Sequence, residues 1–147
     1  MIQYPISFSA AVRANSDTTR PWEVSASGNS STCSIPTEFG GTGGGLSPED
    51  YFLLALSNCF VATFKVYAGA SRIGFESVDV KSELVLEKDS KGQPTAKLCR
   101  IEVDVLGAQD ASRTATILNK VGRSGILLNS VKTELEFAFK INGERVS

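Results

Sequence analysis

The sequence contains no histidine, a single methionine and a single tryptophan, and it has no run of basic residues. Without histidine, Cys-His and Ser-His catalytic pairs are excluded, and so are metal sites with imidazole ligands. The 15 Lys and Arg residues nearly balance 16 Asp and Glu residues, for a net charge of -1. No charge pattern therefore points to a nucleic acid or an anionic membrane as a partner. Any chemistry has to rest on Cys, Arg, Lys, Glu, Asp or Tyr side chains.

Cysteine is also scarce, and its three residues cannot all pair within one chain. The first ten residues, MIQYPISFSA, have neither a basic leader nor an apolar signal core. We therefore expect free thiols in a reducing cytoplasm. At 147 residues and 41% hydrophobic content, the chain is long enough for one domain with a sizeable core. We predict a single domain over residues 1–147.

The longest helical pattern runs from Ser47 to Gly74 and carries Cys59 at its middle. Ser47 is a suitable N-cap, Pro48 suits the first helical position, and Asp50 can complete a capping box. The apolar side chains that follow point in every direction, so the helix needs packing partners on all sides. We predict a buried helix that presents Cys59.

A membrane span is the competing interpretation of this stretch. Ser57, Asn58 and Lys65 interrupt the apolar run. We take its apolar part to be shorter than the roughly 20 residues that a bilayer needs. No membrane-spanning segment is therefore predicted.

Strand patterns precede this helix. Alternation of apolar and polar residues predicts strands over 2–12 and 22–26 and a short strand over 32–35. The glycine-rich stretch 40–45 lacks the Gly-Lys-Ser/Thr ending of a phosphate-binding loop, so a nucleotide site is not expected there. We interpret it as a flexible connection to the helix.

Strand patterns also follow the helix. Strands are predicted over 76–88 and 95–106, then a helix that Asp110 caps and Gly122 ends or breaks, and finally a strand over 131–141. The whole order indicates an α+β fold with mainly antiparallel sheet.

The stretch from Ser34 to Phe60 resembles the family of osmotically inducible protein C (OsmC) and organic hydroperoxide resistance (Ohr) proteins, which are thiol peroxidases. The shared pattern is a proline, a double-glycine loop, Pro-Glu at a helix start, and Cys-Phe ten residues after the glutamate. Pro48-Glu49 and Cys59-Phe60 match that spacing here. The order of elements also resembles the family fold over essentially the whole chain. The resemblance implies sheets packed around a long central helix in an intertwined homodimer.

The resemblance also implies functional residues. Cys59 matches the reactive cysteine, and Glu49 matches the glutamate at the helix start. Arg20 is the best match for an arginine in the loop after the first strand, with Arg13 as the fallback. The second cysteine of the family has no counterpart, because Gly125 falls at its position.

These residues predict a cysteine-based peroxidase. Cys59 would attack the O–O bond of an organic peroxide or hydrogen peroxide and become a sulfenic acid. Arg20 would hold the thiolate, and Glu49 would orient Arg20. Without a second thiol we expect a one-cysteine cycle that an external thiol reductant completes, with no cofactor and no metal. The alternative is an OsmC-like redox-sensing or small-molecule-binding protein without efficient turnover.

Each of these residues also has a structural interpretation. A cysteine within an apolar helix is more often a packing residue, Arg20 could be an exposed loop residue, and Glu49 could simply favour the helix dipole. Cys33 and Cys99 lie on apolar strand faces, and we predict that both are buried. Glu49 and Cys59 are about 15 Å apart along one helix, so a shared site would take the glutamate from a second subunit.

Overall fold

The chain forms two β-sheets and two α-helices in a computed structural model that describes residues 1–146. Its residues divide into two compact units, Met1–Tyr51 and Phe52–Ser147. The predicted α+β class with mainly antiparallel sheet is confirmed, since β-strand pairing is antiparallel in all cases but one. That the chain is a single domain stays a prediction.

The first unit holds a three-stranded antiparallel sheet. Its strands, in spatial order, are β1 (Ala10–Arg13), β2 (Trp22–Ala26) and β3 (Asn29–Cys33). The turn between β2 and β3 consists of Ser27 and Gly28, with φ of 51° and 75°. Two successive positive φ values suit a tight hairpin, so β3 begins three residues earlier than predicted.

The N-terminal residues depart most from the sequence prediction. We predicted a strand over 2–12, but β1 begins at Ala10, and residues 1–9 form no strand within the described part of the chain. Ala10 lies opposite Ala26, the last residue of β2, so the preceding residues meet no neighbouring strand there. Their alternating apolar side chains are exposed: Ile2, Tyr4, Ile6 and Phe8.

Hydrogen bonds join the end of the glycine-rich stretch to Ser34, the residue directly after β3. Ser34 Oγ accepts a hydrogen bond from the Gly45 N–H and donates one to the Gly45 carbonyl, both at 3.1 Å. A Cβ atom on Gly45 would lie 2.8 Å from the Thr32 carbonyl oxygen. Glycine is therefore needed here because two backbones approach closely.

The central helix, α1 (Pro48–Ala70), begins as predicted. The Asp50 N–H donates to Ser47 Oγ at 3.0 Å, and the Ser47 N–H donates to Asp50 Oδ2 at 2.8 Å, which closes the capping box. It ends earlier than predicted. Arg72 takes the left-handed conformation (φ 52°), and the Ile73 N–H bonds to the Ala68 carbonyl, so a Schellman motif ends α1 before Gly74.

One face of α1 is buried and others are open. Its buried side chains recur every four residues: Leu56, Phe60, Phe64 and Ala68. Leu54 and Val66 keep 45% and 66% of their surface exposed. A helix with apolar residues on all sides is therefore covered on only part of its surface by this chain.

By length and composition α1 could cross a membrane, contrary to our expectation that its apolar part is too short. It has 23 residues and an 18-residue window with a mean hydropathy of 1.4. Core helices can meet the same criteria. Here Phe60 and Phe64 are fully buried in the core of the second unit.

The second unit contains a four-stranded sheet and the helix α2 (Ala111–Ser124). The strands, in spatial order, are β4 (Ser77–Lys88), β5 (Pro94–Leu106), β6 (Glu134–Ile141) and β7 (Glu144–Val146). β5 and β6 are parallel, and α2 makes the crossover between them. The predictions missed β7, which follows a turn at Asn142 and Gly143.

The capping of α2 was predicted correctly, but its end was not. The Asp110 side chain accepts a hydrogen bond from the Arg113 N–H. Gly122 does not end the helix, which continues to Ser124. A Cβ on Gly122 would lie 3.4 Å from the ring of Phe137, so α2 packs against β6 at this position.

The core of the second unit forms where α1 and α2 pack on the sheet. The Phe60 ring centroid lies 5.8 Å from those of Phe137 and Phe139. The largest completely buried side chains of α1, β5 and α2 are Leu56, Phe60, Phe64, Ile101, Val103, Val105, Leu118 and Val121. This packing holds α1, which carries Cys59, beside the end of α2, which Gly125 follows directly.

Candidate functional site

Cys59 lies near the middle of α1, immediately before the fully buried Phe60. It is partly buried and packs against the core of the second unit. All three thiols are free, and both Cys33 and Cys99 are buried. Cys59 is thus the only one of the three cysteines, all of them within the described residues, whose side chain keeps partial access to solvent.

Gly125 borders the Cys59 thiol. A Cβ atom on Gly125 would lie 3.3 Å from Cys59 Sγ. Gly125 has φ -61° and ψ 131°, an ordinary extended conformation that any residue can adopt. The space around this position, and not its backbone conformation, therefore favours glycine. That Gly125 replaces the second cysteine of the family stays a prediction.

Leu128 also borders the Gly125 position. Its Cδ1 and Cγ atoms would lie 2.7 and 3.0 Å from a Cβ on Gly125. Leu128 is only 5% exposed, whereas Ile126 and Leu127 beside it are 72% and 43% exposed. The turn after α2 therefore places one buried leucine next to the Gly125 position, and it leaves the two residues before that leucine exposed.

Polar contacts join α1 to the end of α2. The hydroxyl groups of Tyr67 and Ser124 are 3.0 Å apart and share a hydrogen bond. Lys120 Nζ lies 4.5 Å from the centroid of the Tyr67 ring, a cation–π contact. Ser124 directly precedes Gly125, so these contacts help to position Gly125 beside Cys59.

Glu49 lies in the first turn of α1, in the first unit. Its Oε2 atom is buried and has no hydrogen-bond partner among the described residues. A buried carboxylate oxygen without a donor carries a desolvation cost, which a cation or an N–H group would relieve. Glu49 thus has the free acceptor that the predicted role requires.

Arg20 and Arg13 are surface residues of the first unit. The Arg20 side chain is 71% exposed, and its Nε lies 3.9 Å from Asp17 Oδ2. Arg13 lies on β1 opposite Glu23 and is also exposed. The predicted pairing of Arg20 with Glu49 does not occur between these residues as the structure describes them. Cys59 belongs to the second unit, and its pairing with an arginine stays a prediction.

The other two thiols are poorly suited to nucleophilic chemistry. Burial raises the pKa of the Cys99 thiol. It also raises the pKa of Cys33, and the carboxylates of Glu49 and Asp50 act in the same direction, against a hydrogen bond from the Ser34 N–H. A raised pKa keeps a thiol protonated, and the protonated form is a weak nucleophile. The predicted burial of both residues is confirmed.

The first unit also has an apolar groove of about 580 Å³ on one face of its sheet. Trp22, Val24, Cys33 and Tyr51 are among its lining residues. The Tyr51 hydroxyl donates to Ser31 Oγ at 2.7 Å and is therefore already engaged. Neither Arg20 nor Glu49 is among the described residues that line this groove.

Within residues 1–146, no three or more His, Cys, Asp or Glu side chains lie close enough together to hold a metal ion.

The sequence analysis identified Cys59 and Gly125 but missed Leu128. Three consecutive apolar residues at 126–128, in a segment that is neither helix nor strand, were the available signal. Only the folded chain shows that Leu128 is the one of the three that is buried and lies against the Gly125 position.

The chain is similar to known proteins of one family. Residues 41–140 match the family model for OsmC-like protein. An OsmC-like protein of unknown function from Vibrio cholerae has a similar structure, with a TM-score of 0.81 and 19% identity over 93% of this chain and 99% of that one. Comparison with curated proteins gives no significant match.

Two structures of organic hydroperoxide resistance proteins are also similar. The protein OsmC from Legionella pneumophila has a TM-score of 0.73 and 18% identity over 95% of this chain and 98% of that one. OhrB from Bacillus subtilis has a TM-score of 0.66 and 14% identity over 92% of this chain and 98% of that one. At these identities the likeness establishes the fold.

Proposed function

Because the chain belongs to the OsmC-like protein family, we propose that it is a cysteine-based peroxidase that reduces organic hydroperoxides or hydrogen peroxide through Cys59. One observation carries the proposal: Cys59 is partly accessible on the central helix, whereas Cys33 and Cys99 are buried and have raised pKa values. The names of the Legionella pneumophila and Bacillus subtilis relatives support the same class of substrate.

The first step is an attack by the Cys59 thiolate on one peroxide oxygen. The S–O bond forms as the O–O bond breaks, and the leaving alkoxide or hydroxide takes up a proton to become an alcohol or water. Cys59 is oxidised to a sulfenic acid, and the peroxide is reduced. No histidine base is available, so the thiolate has to be stabilised by a neighbouring positive charge.

We assign that charge to Arg20. Its guanidinium is permanently protonated, so it can stabilise the thiolate and polarise the peroxide without exchanging a proton. The unpartnered Glu49 Oε2 is a suitable acceptor for this guanidinium, and the exposed Arg20 side chain has few contacts to lose by moving. Arg13 is the fallback for the same role.

A homodimer would complete this arrangement, because Glu49 and Cys59 are too far apart on one helix to share a hydrogen bond. Exposed apolar side chains on α1 (Leu54, Val66) and along the N-terminal segment (Ile2, Phe8) supply surface for such an interface. The interface would include α1 and the residues from Ile2 to Ala26. Sedimentation at micromolar concentration should give a dimer, and a monomer would contradict this arrangement.

The second half of the cycle depends on an external thiol. Gly125 supplies no sulfur beside Cys59, and Cys33 and Cys99 are buried. A small thiol of the reducing cytoplasm would condense with the sulfenic acid, releasing water and forming a mixed disulfide. A second thiol would then release Cys59 and leave as the oxidised disulfide. With excess peroxide, the sulfenic acid would proceed to sulfinic acid.

The absence of a sulfur at Gly125 also favours a second candidate function, a redox sensor whose oxidised Cys59 persists. Peroxide consumption with several thiol reductants distinguishes the two. An enzyme consumes many equivalents of tert-butyl hydroperoxide with at least one reductant, whereas a sensor stops after stoichiometric oxidation of Cys59. Oxidation of Cys59 no faster than that of a free thiol would contradict both functions.

A further inference from the structure

The sheet of the second unit has an open edge where β7 ends. β6 is eight residues long, but only residues 139–141 lie opposite β7. In a hairpin with a two-residue turn, the pair of residues next to the turn shares backbone hydrogen bonds, and so does every second pair after it. Here the turn is Asn142-Gly143, and Ile141 and Phe139 are these residues on β6. Phe137 therefore directs its N–H and C=O groups to the same side, beyond the end of β7.

A cavity of about 470 Å³ lies at this edge, here called the edge cleft. Three consecutive residues of β6 border it, namely Phe137, Ala138 and Phe139. Since the side chains of neighbouring strand residues point to opposite faces, a cavity that borders all three lies along the edge of the strand. Val146 of β7 and Gly122 of α2 also border the edge cleft. Its volume is within the range of about 300 to 1,000 Å³ that small-molecule sites have.

Aromatic side chains form the apolar part of the edge cleft. The rings of Phe137 and Phe139 are stacked, with centroids 5.8 Å apart and an interplanar angle of 25°. A Cβ atom on Gly122 would lie 3.4 Å from the Phe137 ring, so no side chain from this helix position covers that edge of the ring. Val146 lies opposite Phe139 and adds apolar surface. A flat apolar group is the ligand body that pairs best with such rings.

Two arginine residues border the edge cleft. Arg123 lies in the last turn of α2 and Arg145 lies on β7, and both are exposed. Neither forms a salt bridge with a carboxylate within residues 1–146. Arg145 lies near Glu102, but the Glu102 carboxylate is already bonded to Lys140 Nζ at 2.7 Å. Among the described residues that border the edge cleft there is no Asp or Glu side chain.

The polar groups at the edge cleft favour an anionic acceptor. The two guanidinium groups and the Phe137 N–H are hydrogen-bond donors, and a guanidinium pairs with a carboxylate through two parallel hydrogen bonds. We propose that the edge cleft binds a small carboxylate with a flat apolar body. The body lies against the two phenylalanine rings, and Arg123 and Arg145 bind the carboxylate. Cys59 is not among the described residues that border the edge cleft, so this site is separate from the proposed peroxidase site.

The binding test uses 2-naphthoate, its neutral analogue 2-naphthalenemethanol, and acetate, each added to the ¹⁵N-labelled full chain. The titrations are followed through the amide signals in ¹H–¹⁵N correlation spectra. 2-Naphthoate should shift the signals of Gly122, Arg123, Ala138 and Val146 with one common Kd. Because the neutral analogue lacks the charge and acetate lacks the apolar body, each should bind about tenfold more weakly.

Three variants test which charges bind the carboxylate. Arg123→Gln and Arg145→Gln should each weaken 2-naphthoate binding about fivefold, because each removes one guanidinium. Neither should change the affinity for 2-naphthalenemethanol, which reports that the cleft is intact. Arg113→Gln is the matched control, since Arg113 is exposed on the same helix, donates to the Ser71 carbonyl and does not border the edge cleft. It should bind 2-naphthoate as the parent does.

The proposal is overturned if 2-naphthalenemethanol binds as tightly as 2-naphthoate, or if the shifted signals lie outside the edge cleft. Parent affinity in both Arg123→Gln and Arg145→Gln overturns it as well. So does an equal loss in Arg113→Gln, which would mean attraction by the general surface charge. A protein that binds 2-naphthoate as expected but does not react with peroxide keeps this site and loses only the proposed peroxidase function.

Discussion

Cys59 and Cys99 pack against the same core in the second unit, yet their surroundings differ. Cys99 lies on β5, is completely buried, and has a raised pKa because of that burial. Cys59 lies on α1, is only partly buried, and is next to Gly125, where a Cβ atom would lie 3.3 Å from the Cys59 sulfur. The comparison teaches that the packing around a sulfur decides its access to reagents: Cys99 is closed off by the core, whereas Cys59 stays partly accessible.

The largest difference between the two cysteines should appear when each sulfur is removed in turn. Cys59→Ser should abolish reaction with tert-butyl hydroperoxide because the nucleophile is lost. Cys99→Ser should keep that reaction while losing stability, by about 1 to 3 kcal/mol, since it buries a hydroxyl group without a prepared partner. Peroxide consumption and urea unfolding measure the two effects.

Cys33→Ser serves as the control for the thiol of the first unit, which is also buried. It should keep peroxide consumption close to that of the parent. Full activity in Cys59→Ser would contradict the comparison, and so would a loss in Cys33→Ser as large as that in Cys59→Ser while its fold is retained.

A second test places another thiol next to Cys59. Gly125→Cys should form a disulfide with Cys59 after one equivalent of peroxide, because the new Cβ would lie 3.3 Å from Cys59 Sγ. Leu128→Ala in the same chain removes the 2.7 Å overlap and should raise the yield. Non-reducing peptide mapping gives the amount of this disulfide.

Gly122→Cys is the matched control, since Gly122 lies on the same helix but faces the Phe137 ring. It should give no disulfide with Cys59. The account of Gly125 fails if Gly125→Cys, with or without Leu128→Ala, remains unpaired in a folded protein.

A smaller effect is expected from the arginine that we propose as the partner of the Cys59 thiolate. Arg20→Ala should slow iodoacetamide alkylation of Cys59 at neutral pH several-fold and should leave Cys99 as unreactive as in the parent. The rate of alkylation as a function of pH is the measurement. If Arg20→Ala matches the parent at every pH, the role passes to Arg13, and Arg13→Ala should then show the slower reaction.

The smallest effect concerns stability at alkaline pH. The pKa of Cys99 is raised above the ordinary thiol value of 9.0, so the unfolded chain loses this proton at lower pH than the folded one. Its contribution to the free energy of unfolding is therefore complete below pH 9.0 and decreases as the pH rises through and above it. Urea unfolding should show a shallower decrease for Cys99→Ala than for the parent, and equal slopes would contradict the assignment.

Local sequence signals predicted the second unit and the start of α1 well. Ser47, Pro48 and Asp50 specify a helix start through contacts within one turn, and the alternation in β5 specifies its buried face. The strand predicted from Ile2 was wrong over most of its length. Alternating apolar and polar residues indicate that a segment has two different faces, but they do not show whether a neighbouring strand is there to pair with it. The three-residue strand β7 has too little sequence to show a pattern.

The sequence also predicted part of the candidate site. Cys59 and Gly125 came from the family resemblance, and the structure brings them together within the second unit. Leu128 could not be found in the sequence, because its contact with Gly125 depends on how the turn folds back after α2. The predicted pair of Arg20 and Glu49 is not formed between the residues described, since Arg20 lies on the surface near Asp17.

The most direct test of the central claim is to measure which of the three thiols peroxide oxidises to a sulfenic acid. The protein is treated with one equivalent of tert-butyl hydroperoxide, its sulfenic acids are trapped with dimedone, and each cysteine peptide is quantified by mass spectrometry. The account predicts modification of Cys59, with Cys33 and Cys99 still reduced and no disulfide linking either of them to Cys59. Unmodified Cys59, or equal modification of all three thiols, would contradict it.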